Sequence, residues 1–129
     1  MKQIPSFMLV WILLHTSSVW AAEAKQAVID RLHLPKGFTI SLYADNVPNA
    51  RSLALGDNGI VYVGTRQEGS LYALQDTNGD GVSDKRFELG KNLDMPNGVA
   101  FRDGNLYVAE TDKIIRFDNI GKHLYDPPK

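Results

Sequence analysis

Arg51-Ser52-Leu53-Ala54-Leu55-Gly56-Asp57-Asn58-Gly59-Ile60-Val61-Tyr62-Val63 and Asn97-Gly98-Val99-Ala100-Phe101-Arg102-Asp103-Gly104-Asn105-Leu106-Tyr107-Val108 are two versions of one pattern. Each reads as a short apolar run, a cluster of Asp, Asn and Gly, and a second short apolar run. Runs of this length and alternation are strands. Asn-Gly and Asp-Gly supply the positive φ that a tight hairpin turn needs. The copies lie about 45 residues apart, the spacing of four-stranded propeller blades. Two unrelated hairpins in a small β-sandwich are the alternative.

Further runs extend both copies: Ser70-Leu71-Tyr72-Ala73-Leu74 follows the first and Lys113-Ile114-Ile115-Arg116-Phe117 the second. Upstream, Phe38-Thr39-Ile40-Ser41-Leu42-Tyr43 alternates like a half-buried strand. Before it, residues 23–34 read as a weak helix with Ala27, Val28, Arg31 and Leu32 on one face, ended by Pro35. The expected fold is all-β, a β-propeller fragment of about two four-stranded blades over residues 35–129, with repeats near 51–74 and 97–118. Propellers close with typically four to eight blades, so a longer parent protein is expected.

The N-terminus carries Lys2, then Phe7-Met8-Leu9-Val10-Trp11-Ile12-Leu13-Leu14, then small residues at Val19 and Ala21. This is the layout of a signal peptide, residues 1–21, with a second cleavage choice after Ala24; residues 22–34 become the lead-in. An uncleaved anchor would need an apolar stretch of roughly 20 residues, longer than this one. The mature chain is therefore expected in the periplasm or secreted. At 129 residues it allows one small domain. It contains no cysteine, which excludes disulfides, thiolate metal sites, c-type haem and a lipid-anchored cysteine. A formal net charge of −1 without a basic stripe argues against nucleic acid as a partner.

Asp76-Thr77-Asn78-Gly79-Asp80-Gly81-Val82-Ser83-Asp84 places side-chain oxygens at its first, third, fifth and ninth positions, with the Val82 carbonyl at the seventh. Calcium takes six to eight oxygen ligands, and a glycine-permitted turn can direct several at one centre. The candidate metal ligands are therefore Asp76, Asn78, Asp80, Val82 and Asp84, in a structural role at a junction between blades. Phe87 stands where an EF-hand loop has its bidentate Glu, so an EF-hand is excluded. The other reading is a solvated turn whose Asp and Asn side chains accept from backbone amides. Asn97 opens the innermost strand of the second repeat, with Arg51 as its counterpart. Arg66 and Glu110 each follow a second strand and are expected at the surface, with Arg66 able to grip a carboxylate or quinone oxygen bidentately.

Leu34-Pro35-Lys36-Gly37-Phe38, the blade Leu53 to Leu74, the Asp-Thr-Asn-Gly-Asp-Gly loop and Met95-Pro96-Asn97-Gly98-Val99-Ala100-Phe101 together resemble the sorbosone dehydrogenase family. That family comprises exported six-bladed propellers related to the soluble quinone-dependent glucose dehydrogenases. The resemblance covers nearly all of the mature chain and lies in the ordered set. It implies a parent enzyme that holds pyrroloquinoline quinone (PQQ) and calcium (Ca2+) and oxidises an aldose or related small-molecule sugar. It also implies a histidine base, for which this chain offers no candidate: His15 lies in the leader, His33 precedes the first blade and His123 has no matching motif. Calcium-dependent lactonase propellers also place an Asn from a Pro-Asn-Gly element on their metal, which keeps a lactone hydrolase open beside the dehydrogenase. A non-enzymatic binding propeller is the third reading.

Overall fold

A computed structural model describes residues 26–128; the signal-peptide reading, residues 1–21, lies outside them. The chain divides into two units at Leu42/Tyr43. In the first unit, residues 26–29 form one helical turn, closed by Asp30 N–H donating to the Gln26 carbonyl at 3.0 Å. The alternating stretch from Phe38 does not form a strand: residues 38–42 are irregular and exposed. Alternation becomes a strand only beside a pairing edge, and none among the described residues pairs with this segment.

The second unit is all-β. Its first sheet holds β1 (Ala50–Leu55), β2 (Val61–Thr65), β3 (Leu71–Gln75) and β4 (Lys85–Gly90) in the order β1-β2-β3-β4. The second holds β5 (Gly98–Arg102), β6 (Asn105–Ala109) and β7 (Ile114–Phe117) in the order β5-β6-β7. All pairings are antiparallel, and each strand lies beside its neighbour in sequence. Among the described residues the repeat thus has one four-stranded and one three-stranded member where two of four were expected. β4, Lys-Arg-Phe-Glu-Leu-Gly, carries three charges in six residues and escaped the hydrophobic pattern.

The β5–β6 turn follows directly from its residues. Arg102 pairs with Asn105, leaving Asp103 (φ 50°) and Gly104 (φ 79°) as a two-residue loop. Positive φ at both positions is the I′ geometry whose twist suits a hairpin. The β1–β2 connection is longer, and Gly56 N–H donates to the Ile60 carbonyl across it at 2.8 Å.

Register separates the two faces of each sheet. Leu53↔Val63 and Val63↔Tyr72 put one set of side chains outward, while Ala54↔Tyr62 and Tyr62↔Ala73 face the second sheet. The inward set of the first sheet and Leu106, Val108 and Phe117 of the second form one buried cluster, with Ile120 and Leu124 closing it. Tyr62 is fully buried there and stacks on Phe101, ring centroids 5.5 Å apart. Burial, with Asp57 adding to it, pushes its hydroxyl pKa up to about 12. On the outward face, Val63, Tyr72 and Leu74 are covered by Tyr43, Ala44 and Val47.

Candidate functional site

The Asp76–Asp84 segment joins β3 to β4. It is therefore a connection within one sheet, which corrects the expectation of a junction between blades. Gln75↔Lys85 is the last pair before it, and positive φ at Gly79 and Gly81 lets the chain coil on itself. The Asp76 carboxylate accepts from three backbone amides: Asn78 (3.2 Å) and Gly79 (2.7 Å) on Oδ1, and Gly81 (2.8 Å) on Oδ2. The same motif recurs in smaller form, with Asp80 N–H donating to Asn78 Oδ1 at 2.9 Å and Val82 N–H to Asp80 Oδ1 at 2.8 Å. Asp84 closes the loop by accepting from the Thr77 hydroxyl and amide. The Gly81 amide, first among the backbone donors, holds the Asp76 pKa below the ordinary 3.8; the Thr77 hydroxyl does the same for Asp84.

Every side chain picked from this stretch as a ligand is thus in use as a cap for the turn's own backbone or side chains. Among the described residues no three His, Asp or Glu side chains stand together as a metal-holding group. Asp76 Oδ1 and Asp84 Oδ2 each accept two hydrogen bonds, whereas Asp76 Oδ2 accepts one, from Gly81, and Asp80 Oδ1 one, from Val82; oxygen donors of this kind are those a hard cation takes.

A second group lies elsewhere on the fold. The pairings Ala50↔Thr65 and Gly98↔Ala109 put the start of β1 beside the end of β2, and the start of β5 beside the end of β6. Arg51, Arg66, Asn97 and Glu110 therefore share one end of their sheets, and Val61↔Leu74 places the Asp76–Asp84 loop at the opposite end of the first sheet. Ser52 Oγ donates to Asn97 Oδ1 at 3.4 Å, which ties the repeats together at their first strands. Gly64 makes this approach possible, because a Cβ there would collide with the Pro96 carbonyl. The preceding turn carries Met95 at φ 49°, and Pro96 is fully buried.

Arg66 is exposed, as expected, but Glu110 is not, its side chain being only 2% exposed. Its Oε2 lies 2.7 Å from Lys113 Nζ and accepts from the Asp94 amide at 3.3 Å, while its buried Oε1 meets no donor among the described residues. The Glu110 hydrogen bond is the main cause of a raised Lys113 pKa. The backbone closes the same junction, Thr111 N–H donating to the Asp94 carbonyl at 3.1 Å. Glu110 therefore braces the turn that presents Asn97. Its place after an apolar strand gave no sign of this; the signal was Lys113 three residues on. His33 and His123 are both exposed.

Among curated proteins, the chain is similar to an uncharacterized protein of Borreliella burgdorferi (strain ATCC 35210 / DSM 4680 / CIP 102532 / B31). The two are 24% identical over 119 residues, which cover 92% of this chain and 29% of that protein. The chain thus spans less than a third of the length of that relative. No family model matches the chain. No solved structure matches it.

Proposed function

We propose that this chain is the leading part of an exported β-propeller enzyme that oxidises an aldose or related sugar with PQQ as electron acceptor, in the manner of the sorbosone dehydrogenase family. The observation that carries the reading is the repeat: two antiparallel meanders in the same strand order, packed face to face through one core, with their first strands linked at Ser52 and Asn97. Blades packed in this way present their first strands to a common channel. The ordered motifs of the resemblance supply the chemistry, and the leader supplies export to the periplasm or beyond.

When bound, PQQ would supply a two-electron, two-proton acceptor for the sugar's conversion to a carbonyl compound. No residue of this chain is assigned to it or to the catalytic base. The contribution here is positional: Asn97, with Pro96 buried behind it and the Glu110–Lys113 pair bracing its turn, offers a fixed amide at the channel end of β5. Calcium at Asp76, Asn78, Asp80, the Val82 carbonyl and Asp84 would tie β3 to β4 at the far end, a structural role. Asn97 is also the observation behind the second reading, a calcium-dependent lactone hydrolase, in which metal polarises a carbonyl and activates water.

The test is made on the native polypeptide, captured with an antibody against the chain and sized by mass spectrometry. A product much longer than 129 residues, trimmed near Ala21, should reduce an artificial dye with aldoses only after loading with PQQ and calcium. Lactone hydrolysis without the quinone would favour the second reading. A short product with neither activity would end both. In the same preparation calcium should raise the melting temperature relative to chelator. Asp80→Ala should abolish that shift, and an equal shift in the variant would place any metal elsewhere.

A further inference from the structure

Asn-Gly occurs at Asn58-Gly59, Asn78-Gly79 and Asn97-Gly98. In such a pair the glycine nitrogen, unshielded by a Cβ on its own residue, can attack the side-chain amide of the asparagine before it. The fold treats the three pairs differently. Asn78 is guarded: Gly79 N–H donates to Asp76 Oδ1 at 2.7 Å, Asn78 Oδ1 accepts from the Asp80 amide at 2.9 Å, and Asn78 Nδ2 donates to Asp80 Oδ2 at 3.1 Å. Asn97 is half-buried with its Oδ1 bonded to Ser52, and Gly98 is fixed in the ladder opposite Ala109.

Asn58 has neither protection. It and Gly59 are exposed between β1 and β2, and among the described residues no hydrogen bond holds the Asn58 side chain. Asn58 (φ 54°, ψ 31°) and Gly59 (φ 73°) form a left-handed pair, closed by Ile60 N–H donating to the Asp57 carbonyl at 3.2 Å and by Gly56 N–H donating to the Ile60 carbonyl. Attack on the side chain requires Asn58 to leave this conformation, so the rate follows the ease with which the turn opens. Backbone hydrogen bonds alone resist opening here, whereas around Asn78 the carboxylate network resists it as well. The second repeat shows that an acidic product fits, since Asp103-Gly104 makes the matching hairpin turn with positive φ at both positions, 50° and 79°.

We propose that Asn58 is a site of spontaneous deamidation, converted with water to aspartate or isoaspartate, and that the Asp76–Asp84 network spares Asn78. The Gly59 nitrogen bonds to Asn58 Cγ as the bond from Cγ to Nδ2 breaks, and Nδ2 leaves as ammonia, taking up the Gly59 amide proton. Water then opens the cyclic imide. Cleavage between the Gly59 nitrogen and Cγ leaves aspartate, and cleavage at the main-chain carbonyl leaves isoaspartate, which routes the chain through Cβ and Cγ. Water is consumed, ammonia is released and nothing is oxidised. Aspartate keeps the hairpin, whereas the longer isoaspartate backbone disturbs the adjacent Leu55↔Val61 pair.

The full chain is aged in mildly alkaline buffer, with and without denaturant, and mass spectrometry follows the amide-to-acid mass gain in each Asn-Gly peptide. In the folded chain Asn58 should react at least about tenfold faster than Asn78 or Asn97, and denaturant should bring the three rates together. Asp76→Ala, which frees the Gly79 amide, should move the Asn78 rate toward that of Asn58. Asn58→Asp should remove the mass gain at this position and leave the melting temperature unchanged. Amide exchange at Leu71–Gln75 checks that each variant is folded. Asn78 or Asn97 reacting as fast as Asn58 in the folded chain would overturn the proposal, as would an inert Asn58 in a chain that reacts once unfolded. A folded Asp76→Ala variant with an unchanged Asn78 rate would overturn the guarding role of the network.

Discussion

Asp76 gathers three amide donors on one carboxylate, and that geometry decides what acid does to the loop. The pKa values of Asp76 and Asp84 are lowered in the fold from an ordinary 3.8. A depressed carboxylate contributes in full above its unfolded value and loses its contribution as pH falls through its folded value. The loop should therefore hold its structure down to about pH 4 and loosen below it. Amide shifts of Gly81 and Thr77, followed by NMR through an acid titration, should move with midpoints below 3.8. Midpoints at or above that value would show that these hydrogen bonds do not form in solution. Thr77→Val should raise the Asp84 midpoint and leave that of Asp76 in place, since the Thr77 hydroxyl acts on Asp84. The spacing of oxygens in this loop was legible in the sequence. Their present use was not, because an Asp two or three residues ahead of an amide can serve that amide or a cation with equal ease.

Individual elements were legible where local chemistry dictates the backbone. Asp103-Gly104 makes its own hairpin turn whatever surrounds it, and β1, β2, β3, β5, β6 and β7 each carry an apolar run. β4 was hidden because its partner comes from β3 across a nine-residue loop and because its alternation, Arg86-Phe87-Glu88-Leu89, is short and holds only two apolar residues among three charges. Arg86 is tied down by tertiary contacts alone: it donates to the Asn46 carbonyl and lies over the Tyr72 ring, 5.1 Å from its centroid. The segment from Phe38 errs in the opposite sense, having the alternation without a partner strand. Gly64 tests how tightly the elements are joined. It sits in β2 with no positive φ to require glycine, and only the approach of the Pro96 carbonyl explains it. Gly64→Ala should cost about 1–3 kcal/mol, because either β2 or the Met95–Asn97 turn must move. Denaturant unfolding measures that cost, and the Asn97 side-chain amide resonance should shift with it. A neutral substitution would show that the two sheets are not in contact at this point.

At the scale of the whole chain, the outward face of the first sheet is covered unevenly. Tyr43, Ala44 and Val47 shield Val63, Tyr72 and Leu74, while Leu53 and Leu55 on β1 remain 68% and 71% exposed. Burying a leucine is worth about 1.5–3 kcal/mol, so this stripe drives association with any apolar surface that fits it. In a ring of blades the neighbouring blade would cover it; in the chain alone, other copies would. The same substitution should therefore have opposite effects in the two settings. Leu53→Lys with Leu55→Lys should reduce self-association of the 129-residue chain, read by light scattering, without altering exchange at Leu71–Gln75. In a longer polypeptide that closes the proposed ring, the same pair should lower the melting temperature, because two charged side chains would be forced into a packed interface. If the pair improved solubility in both and destabilised neither, β1 would face solvent in the mature protein, and a blade on that side would be ruled out along with the ring that requires it.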